Sequence, residues 1–360
     1  MNPIERVIRK VDGAQQRTKP AAFVFGVIKK YGDDNGGVLV SNLAYSSFVS
    51  LFPLLLVLVT ILTYTTAINP SFDADVRNAV ANQVPLLGQT LIGSVHQRER
   101  SSIIGLIVGL VGLIWGSTGL AQAGLFTMEQ VWNLPGPKRP GYVQRLGRAV
   151  LFLALLGAGV IVTTGLSSLS TYLHYGLAVK IPLEVVTAAF NVGMYLGAFR
   201  VLTPKGVPTR DLLPGAITGG ILWTLLQFLG AYLVHHYLHS DSVYGVFGTV
   251  LGLVAWIYIA VEITVYAAEV NVVLSRRLWP RSIVQPPLTE ADRHSMALQA
   301  LQNRRRPEQH VEVTFDDRPP GAEIPATTPQ TSDEVAPPAH AGAAEARGDA
   351  DPGSGADRAQ

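Results

Sequence analysis

Two glutamates, Glu262 and Glu269, lie inside the last long apolar stretch of the chain, residues 243–275. This stretch is long enough to cross a bilayer, which takes about 20 helical residues. A charged side chain at the centre of such a span costs roughly 2.5–3.5 kcal/mol on insertion scales. The stretch therefore predicts a membrane-embedded chain in which these carboxylates serve either packing or function.

Both glutamates fall on one helical face together with several aromatic side chains. At 100° per residue this face, here called the polar stripe, consists of Tyr244, Leu251, Tyr258, Glu262, Tyr266 and Glu269. Because polar groups in lipid need partners, we expect the polar stripe to face the interior of a helix bundle. Counting about 1.5 Å per residue back from Arg276, Glu269 lies roughly 10 Å and Glu262 roughly 20 Å inside the span.

Three interpretations of Glu262 remain open. The side chain is a protonated acid that serves packing, a group coupled to a proton or cation, or a contact for the polar headgroup of a substrate. The candidate partners in other predicted spans are Asn191, Gln227, Gln122 and Glu129. Arg200 lies at the end of the predicted span 183–202, and no lysine or arginine lies deeper inside a predicted span. A protonated or substrate-facing Glu262 is therefore favoured over a buried ion pair.

The composition of the chain also indicates a membrane protein. Hydrophobic residues make up 48% of the 360 residues and charged residues 15%, compared with about 25% charged residues in soluble domains. Six apolar stretches are long enough to cross a bilayer, at about 38–67, 102–123, 149–171, 183–202, 212–238 and 243–275. We therefore predict an all-α, polytopic membrane protein with six transmembrane helices.

Lysine and arginine alternate in density between successive loops. Seven of them precede the first span and four lie between the second and third spans, whereas the loop between the fifth and sixth spans has none. Because excess positive charge stays on the cytoplasmic side, we predict that both termini are cytoplasmic.

The predicted domains follow from these spans. Residues 1–37 form a cytoplasmic segment in which residues 21–28 lie as a helix on the membrane surface. Residues 38–278 form the six-helix membrane domain. Its outside loop, residues 69–100, has an amphipathic helical pattern. We interpret this loop either as an external lid or lipid-contacting element, or as a helical hairpin packed over the ends of the spans.

Residues 279–360 are predicted to be a mostly disordered cytoplasmic tail. From residue 304 onward Pro, Ala, Gly, Asp and Glu dominate, and such a composition buries too little apolar surface to fold. One short helix is expected before that point, over residues 289–302, because Thr289 and Asp292 resemble a capping box.

No catalytic motif is present in the sequence. There is no GxSxG, no phosphate-binding loop and no HExxH, and the chain has no cysteine. The basic loops lack the aromatic side chains and the concentrated patch of a nucleic-acid surface. His235 and His239 are four residues apart and could bind a metal, but no further ligand cluster lies nearby beyond Asp241. We therefore interpret His235, His236 and His239 as residues of the membrane interface. We expect no enzyme activity, no metal, no cofactor and no nucleic-acid partner.

Five short motifs follow one another through the predicted spans. They are Tyr45 with Ser50-Leu51-Phe52-Pro53, Pro214-Gly215-Ala216, Tyr244-Gly245, Trp256-Ile257-Tyr258, and Ala268-Glu269-Val270-Asn271. Together they resemble the YihY/virulence factor BrkB family of bacterial inner-membrane proteins, formerly named ribonuclease BN. The resemblance extends from about residue 21 to residue 278 and leaves the tail outside.

The resemblance implies a multi-pass protein of the bacterial plasma (inner) membrane, with six helices and a cytoplasmic N-terminus. It also implies a role in envelope integrity, with a lipid or other amphiphile as cargo, but no known reaction. The family pattern has the glutamate at position 269. It usually has an apolar residue at position 262 and a glycine at position 267, where this chain has Glu262 and Ala267. The resemblance therefore assigns no role to Glu262. A functional role for Glu262 is suggested only by the free-energy cost of burying its charge in the membrane.

Two functions of different classes are consistent with these features. The first is a transporter or flippase that moves a lipid or amphiphile along the polar stripe, with Asn191 and Gln227 as further contacts. The second is a membrane scaffold without transport, acting through the outside loop and the cytoplasmic tail. The lipid bilayer is a partner in both, and a homo-oligomer is compatible with either.

Overall fold

Nine α-helices make up most of the part of the chain that the computed structural model describes, residues 3–66, 103–172, 177–203, 205–237 and 245–315. The helices are α1 Pro3–Arg17, α2 Lys19–Asp33, α3 Gly36–Thr66, α4 Ile103–Val131, α5 Tyr142–Tyr172, α6 Leu177–Leu202, α7 Leu213–Tyr237, α8 Gly245–Ser275 and α9 Glu290–Gln302. These ranges contain no β-strand, so the prediction of an all-α chain is confirmed for them.

Each of the six predicted spans coincides with one long helix, from α3 to α8. These helices are 25 to 31 residues long. Within the described residues, three segments are long and apolar enough to cross a membrane, namely Pro182–Leu202, Thr209–Gly230 and Val250–Ser275. That α3, α4 and α5 also cross, and that both termini are cytoplasmic, stay predictions.

Helix α2 packs its inner face against the end of α8. Its buried residues, Ala22, Gly26, Val27 and Lys30, repeat every three to four residues and so share one face. Gly26 lies directly against Leu278 and Trp279, which follow α8. The helix ends at Asp33, five residues beyond the predicted surface helix.

Helices α3 and α4 approach each other closely around Pro53. The helix α3 runs unbroken through this proline, from Gly36 to Thr66. A Cβ added to Gly112 of α4 would lie 3.1 Å from the Pro53 side chain, and one added to Gly116 would lie 3.2 Å from Ser50 Cα. The two glycines are one turn apart, so α4 presents a flat surface to the proline.

Helix α8 contacts α2, α3, α4 and α7. Its cytoplasm-proximal half, by the predicted orientation, is the most deeply buried, with Val265, Ala268 and Val272 at 0% exposure. The helix is apolar on nearly all sides, so its sequence does not determine which side packs inward. The neighbouring helices determine it.

The segment after α8 is folded against the N-terminal helices. The predicted capping box is confirmed: Thr289 is the N-cap of α9 and exchanges hydrogen bonds with Asp292. Arg281 and Ser282 are buried, at 1% and 2% exposure. The tail was predicted to begin at residue 279, but the segment that follows is packed. This packing depends on polar contacts of Arg281 and Ser282, which an apolar pattern in the sequence does not indicate.

Several predictions concern residues that the structure does not describe. The outside loop, residues 69–100, lies among them, as do Tyr244, His239 and the tail from residue 316 onward.

Candidate functional site: a cavity and a buried charge cluster

Two of the family motifs meet where α7 begins and α8 ends. The backbone N–H of Gly215 donates a hydrogen bond of 2.6 Å to Asn271 Oδ1, and Asn271 is 1% exposed. A Cβ on Gly215 would overlap the carbonyl oxygen of Ala267 and the side chain of Asn271. Only a glycine therefore lets Pro214 and the first turn of α7 approach α8 this closely.

A cavity of about 400 Å³ lies among helices α3 to α8. Most of its lining is apolar, with Leu43, Met128, Phe152, Phe199, Trp223 and Ala260 among the side chains that form it. The polar side chains that reach it are Ser47, Thr163, Asn191, Tyr195 and Thr264. A cavity of this composition suits an apolar chain with a small polar end.

The polar lining of the cavity is hydrogen-bonded across helices. Asn191 of α6 is 5% exposed and donates to Thr224 Oγ1 of α7 at 3.1 Å and to Gln227 Oε1 at 3.4 Å. The hydroxyls of Tyr195 on α6 and Thr264 on α8 are 3.2 Å apart. Asn191 and Gln227 were both predicted as candidate partners of Glu262. In the structure they lie together but form a hydrogen bond with each other rather than with Glu262.

The polar stripe of α8 does not face the bundle interior along its whole length. Leu251 is 54% exposed and Tyr258 is 37% exposed, whereas Glu269 is fully buried. Glu262 and Tyr266 are half-buried between these extremes. The expectation of an inward-facing stripe is therefore correct only at its Glu269 end. Because α8 is apolar on all sides, its orientation is determined by packing against α2 and α7 and not by its few polar side chains.

Tyr31 of α2 covers the middle of the polar stripe. Its ring stacks on Tyr266, with centroids 4.3 Å apart and planes 9° from parallel. Burial raises the pKa of Tyr31 from 10.0 to about 12, and the carboxylate of Glu262 is the next largest cause of the increase. Glu262 therefore acts electrostatically on α2, a neighbour that the sequence did not indicate.

At its buried end, the stripe meets a group of three ionisable residues, here called the core cluster: Lys30, Asp34 and Glu269. Their side chains are 0%, 2% and 0% exposed. The Lys30 ammonium pairs with Asp34, donates to the Val131 carbonyl oxygen at 3.1 Å and lies 3.6 Å from Glu269 Oε2. Glu269 is therefore buried beside a lysine instead of reaching the headgroups.

Next to it lies a second group, here called the cap cluster: Lys29, Asp33, Arg281 and Asp292. Arg281 donates to Asp292 at 2.5 Å and to Asp33 at 2.7 Å, and Lys29 donates to Asp292 at 2.9 Å. The cap cluster fastens the segment after α8 and helix α9 onto α2.

Asp292 is held in its ionised form by these contacts. Although burial alone would raise the pKa of Asp292, hydrogen bonds from Ser282, Arg281 and Lys29 outweigh it and hold the pKa well below its usual range. The hydroxyl of Ser282 donates to Asp292 Oδ2 at 2.7 Å. Because the Asp292 carboxylate is ionised and both of its oxygens accept hydrogen bonds, we assign the cap cluster a structural role: it holds α9 against α2.

Glu129, a predicted partner for Glu262, has a different partner in the structure. Its carboxylate accepts a hydrogen bond of 2.7 Å from Arg145 of α5 and lies 3.9 Å from Arg139. It is 1% exposed. This pair joins the ends of α4 and α5, so Glu129 has a positional role away from Glu262.

The residues that sequence reasoning missed are Lys30, Asp34, Arg281 and Asp292. Lys30 is one of the seven basic residues from which the orientation was predicted, and Asp34 lies beyond the predicted surface helix, residues 21–28. One signal was present: the pairs Lys29-Lys30 and Asp33-Asp34 stand four residues apart, which places each lysine one helical turn before an aspartate. Within the described part of the chain, no group of three or more His, Asp or Glu side chains could hold a metal ion.

Comparison with known proteins gives relatives with few identical residues. The ribonuclease-like protein YfkH of Bacillus subtilis is 20% identical over 273 residues, covering 71% of this chain and 96% of YfkH. UPF0761 membrane protein PsycPRwf_0630 of Psychrobacter sp. is 22% identical over 267 residues, covering 70% and 48%. UPF0761 membrane protein PA0951 of Pseudomonas aeruginosa is 26% identical over 261 residues, covering 66% and 59%. The chain thus spans about half to three fifths of the length of these two UPF0761 relatives.

No solved structure matches the chain significantly. The family model described as Virulence factor BrkB matches residues 27–289. This range contains the α7–α8 contact, the cavity and the core cluster. Because the match covers most of the chain, and because the UPF0761 relatives are named membrane proteins, this chain belongs to the virulence factor BrkB family of membrane proteins.

Proposed function

We propose that this chain is a non-enzymatic transporter of the bacterial plasma membrane, which moves a lipid or another amphiphile through its helix bundle. The cavity among α3 to α8 is the observation that supports the proposal. Its volume of about 400 Å³ falls in the range of ligand pockets, roughly 300–1,000 Å³. No covalent step is needed for such a function.

The lining of the cavity matches the chemistry of an amphiphile. Apolar side chains such as Phe152, Phe199 and Trp223 can contact an acyl chain, and Asn191 and Tyr195 can hydrogen-bond its polar end. Residues on six helices form the wall. A change in the packing of any one helix would therefore change access to the cavity.

In this proposal the cargo passes through the cavity, and not along the polar stripe as the sequence predicted. Tyr258 is largely outside the bundle and Glu262 is half-buried near Tyr31. Thr264 and Ala260, on another side of α8, line the cavity instead. Glu262 then serves the contact between α2 and α8, while the cargo passes on the Asn191 side.

Six crossings with both termini in the cytoplasm belong to the same proposal. The alternation of basic loops supports this orientation. It places the core cluster and the cap cluster on the cytoplasmic side of the cavity. The scaffold alternative depends on the outside loop and the tail, so no contact in the described ranges favours it.

Translocation of a fluorescent phospholipid in vesicles containing the purified protein tests this function. Ala260→Phe places a phenyl ring in the cavity, while Ala255→Phe places the same ring on the exposed side of the same helix. Overpacking costs about 1–3 kcal/mol, so we expect the cavity variant to slow translocation roughly five- to hundred-fold. The control variant should keep the wild-type rate.

Two results would contradict the proposed function. One is a wild-type rate equal to that of protein-free vesicles. The other is an equal rate in the two phenylalanine variants, which would mean that lipid does not use the cavity.

A further inference from the structure

The core cluster contains one more carboxylate than ammonium group. Lys30 supplies one positive charge, and Asp34 and Glu269 supply two negative charges if both are ionised. All three side chains are at most 2% exposed. An unpaired ionised carboxylate is strongly disfavoured at such burial, and a buried group of this kind usually becomes neutral instead.

The hydrogen bonds of the core cluster are also unequally shared. Asp34 accepts from Lys30 and, at 3.1 Å, from Asn133 Nδ2. Neither oxygen of Glu269 has a hydrogen-bond partner among the described residues, since Lys30 is 3.6 Å away. An ionised carboxylate is an acceptor with several lone pairs to satisfy, whereas a carboxylic acid also has a proton to donate.

Arg276 is a further cation near the core cluster, close enough to interact electrostatically with Asp34, but its guanidinium is engaged elsewhere. Arg276 donates to the Trp132 carbonyl oxygen at 3.2 Å and lies over its ring. Across the described ranges, no ion pair links it to Asp34 or Glu269. The phenols of Tyr31 and Tyr266 stack beside the cluster, and Glu262 adds a further negative charge nearby.

Asp34 connects the core cluster to water. It also lines a polar cleft of about 590 Å³, together with Asp33, Asn35, Gln130 and Arg139. Because Asp34 and Glu269 both lie against the Lys30 ammonium, a proton that leaves Glu269 can reach Asp34 and from there water in the cleft. Each transfer breaks one O–H bond and forms another, and no other reactant is needed.

We propose that the core cluster is a proton-binding site, in which Glu269 holds one proton and exchanges it with the polar cleft by way of Asp34. With this proton bound, the cluster has no net charge. Loss of the proton places an uncompensated negative charge between α2 and α8 and weakens their contact. The site does not depend on the proposed cargo, so it stands even if translocation is not observed.

Infrared spectroscopy of the full-length protein in lipid vesicles at neutral pH tests this site. A protonated carboxyl has a carbonyl stretch distinct from the bands of carboxylates and amides, and it shifts in heavy water. We expect this band in the wild type, its loss in Glu269→Gln and a shifted frequency in Asp34→Asn. Glu290→Gln, which removes an exposed glutamate at the start of α9, should leave it unchanged.

A second measurement covers the case in which Glu269→Gln does not fold. Isotope labelling of glutamate in the Glu262→Gln variant distinguishes glutamic from aspartic acid and removes the other glutamate of the span. A labelled acid band at neutral pH, decreasing as the pH is raised, would support the site. Absence of that band, or identical spectra for the wild type and Glu269→Gln, would overturn it.

Discussion

Lys29 and Lys30 are neighbours in sequence, as are Asp33 and Asp34, yet each pair is divided between two charge clusters. Lys29 and Asp33 join Arg281 and Asp292 in the cap cluster, which has two cations and two carboxylates. Lys30 and Asp34 join Glu269 in the core cluster, which has one cation and two carboxylates. The same short segment of α2 thus contributes to one balanced and one unbalanced group.

The two clusters also differ in how well their carboxylates are satisfied. In the cap cluster, both oxygens of Asp292 accept hydrogen bonds, from Arg281 and Lys29 on one side and from Ser282 and Thr289 on the other. In the core cluster, neither oxygen of Glu269 accepts one from the described residues. A cluster with equal numbers of positive and negative charges and with hydrogen-bonded carboxylates is typical of a rigid structural contact. A cluster with an excess carboxyl group that lacks hydrogen bonds is instead suited to binding and releasing a proton.

The largest effect is expected from breaking the balanced cluster. Arg281→Met would leave Asp33 and Asp292 without their shared buried cation, and removing one partner of a buried pair costs about 3–5 kcal/mol. Denaturant unfolding of the purified protein in detergent measures this loss. Arg210→Met is the matched control, because the Arg210 side chain is 87% exposed; an equal loss in both variants would contradict the structural role of the cap cluster.

A somewhat smaller effect is expected from Lys30→Met in the core cluster. The variant leaves two buried carboxylates with no ammonium, at a cost of about 3 kcal/mol at neutral pH. Acidification toward pH of about 4, the usual range of carboxyl pKa values, should recover part of the loss because the carboxylates take up protons. Thermal unfolding as a function of pH measures this recovery, and a loss that is independent of pH would contradict it.

The third prediction concerns how the stability contributed by the cap cluster changes at low pH. Because the pKa of Asp292 is held below its usual value, its contribution to stability is present above the unfolded pKa, about 3.9, and is lost as the pH falls through the folded value. Asp292→Asn should cost about 2 kcal/mol at neutral pH, the scale of hydrogen bonds to charged groups. Its stability should then change less with acid than that of the wild type, which unfolding at pH 7 and in acid would reveal.

The smallest effect is expected from Glu269→Gln. If Glu269 is a neutral acid, an amide of similar shape replaces it without removing a charge, so the free energy of unfolding should change only slightly. Glu129→Gln is the matched control, since Glu129 is equally buried but paired with Arg145 at 2.7 Å; it should lose about 2 kcal/mol. The comparison fails if the two glutamine variants are equally destabilised in the same unfolding experiment.

The long helices could be predicted from sequence because their signal is local. Each of α3 to α8 contains an apolar stretch long enough to predict a helix without reference to the rest of the chain. The start of α9 was predictable for a similar reason, since Thr289 and Asp292 stand three residues apart and cap the helix themselves. The Gly215 and Asn271 motifs were identified, but not that they bond to each other across 56 positions.

The charge clusters could not be predicted because their partners are distant in the chain. Lys30 and Glu269 are separated by most of the sequence, and no periodicity links them. The inward side of α8 was also undetermined, since apolar residues cover the helix and the few polar positions were outweighed by packing. Tyr258 therefore faces outward although it shares a helical face with Glu269.

Photo-crosslinking of an amphiphile in native-like membranes most directly tests the claim that the bundle holds one. A phospholipid with a photoreactive acyl chain would be activated, and the labelled peptides identified by mass spectrometry. We predict labels on Met128, Met194 and Phe199, which line the cavity, and their loss in Ala260→Phe but not in Ala255→Phe. Labels confined to exposed side chains such as Trp115 and Val143, in wild type and variants alike, would contradict it.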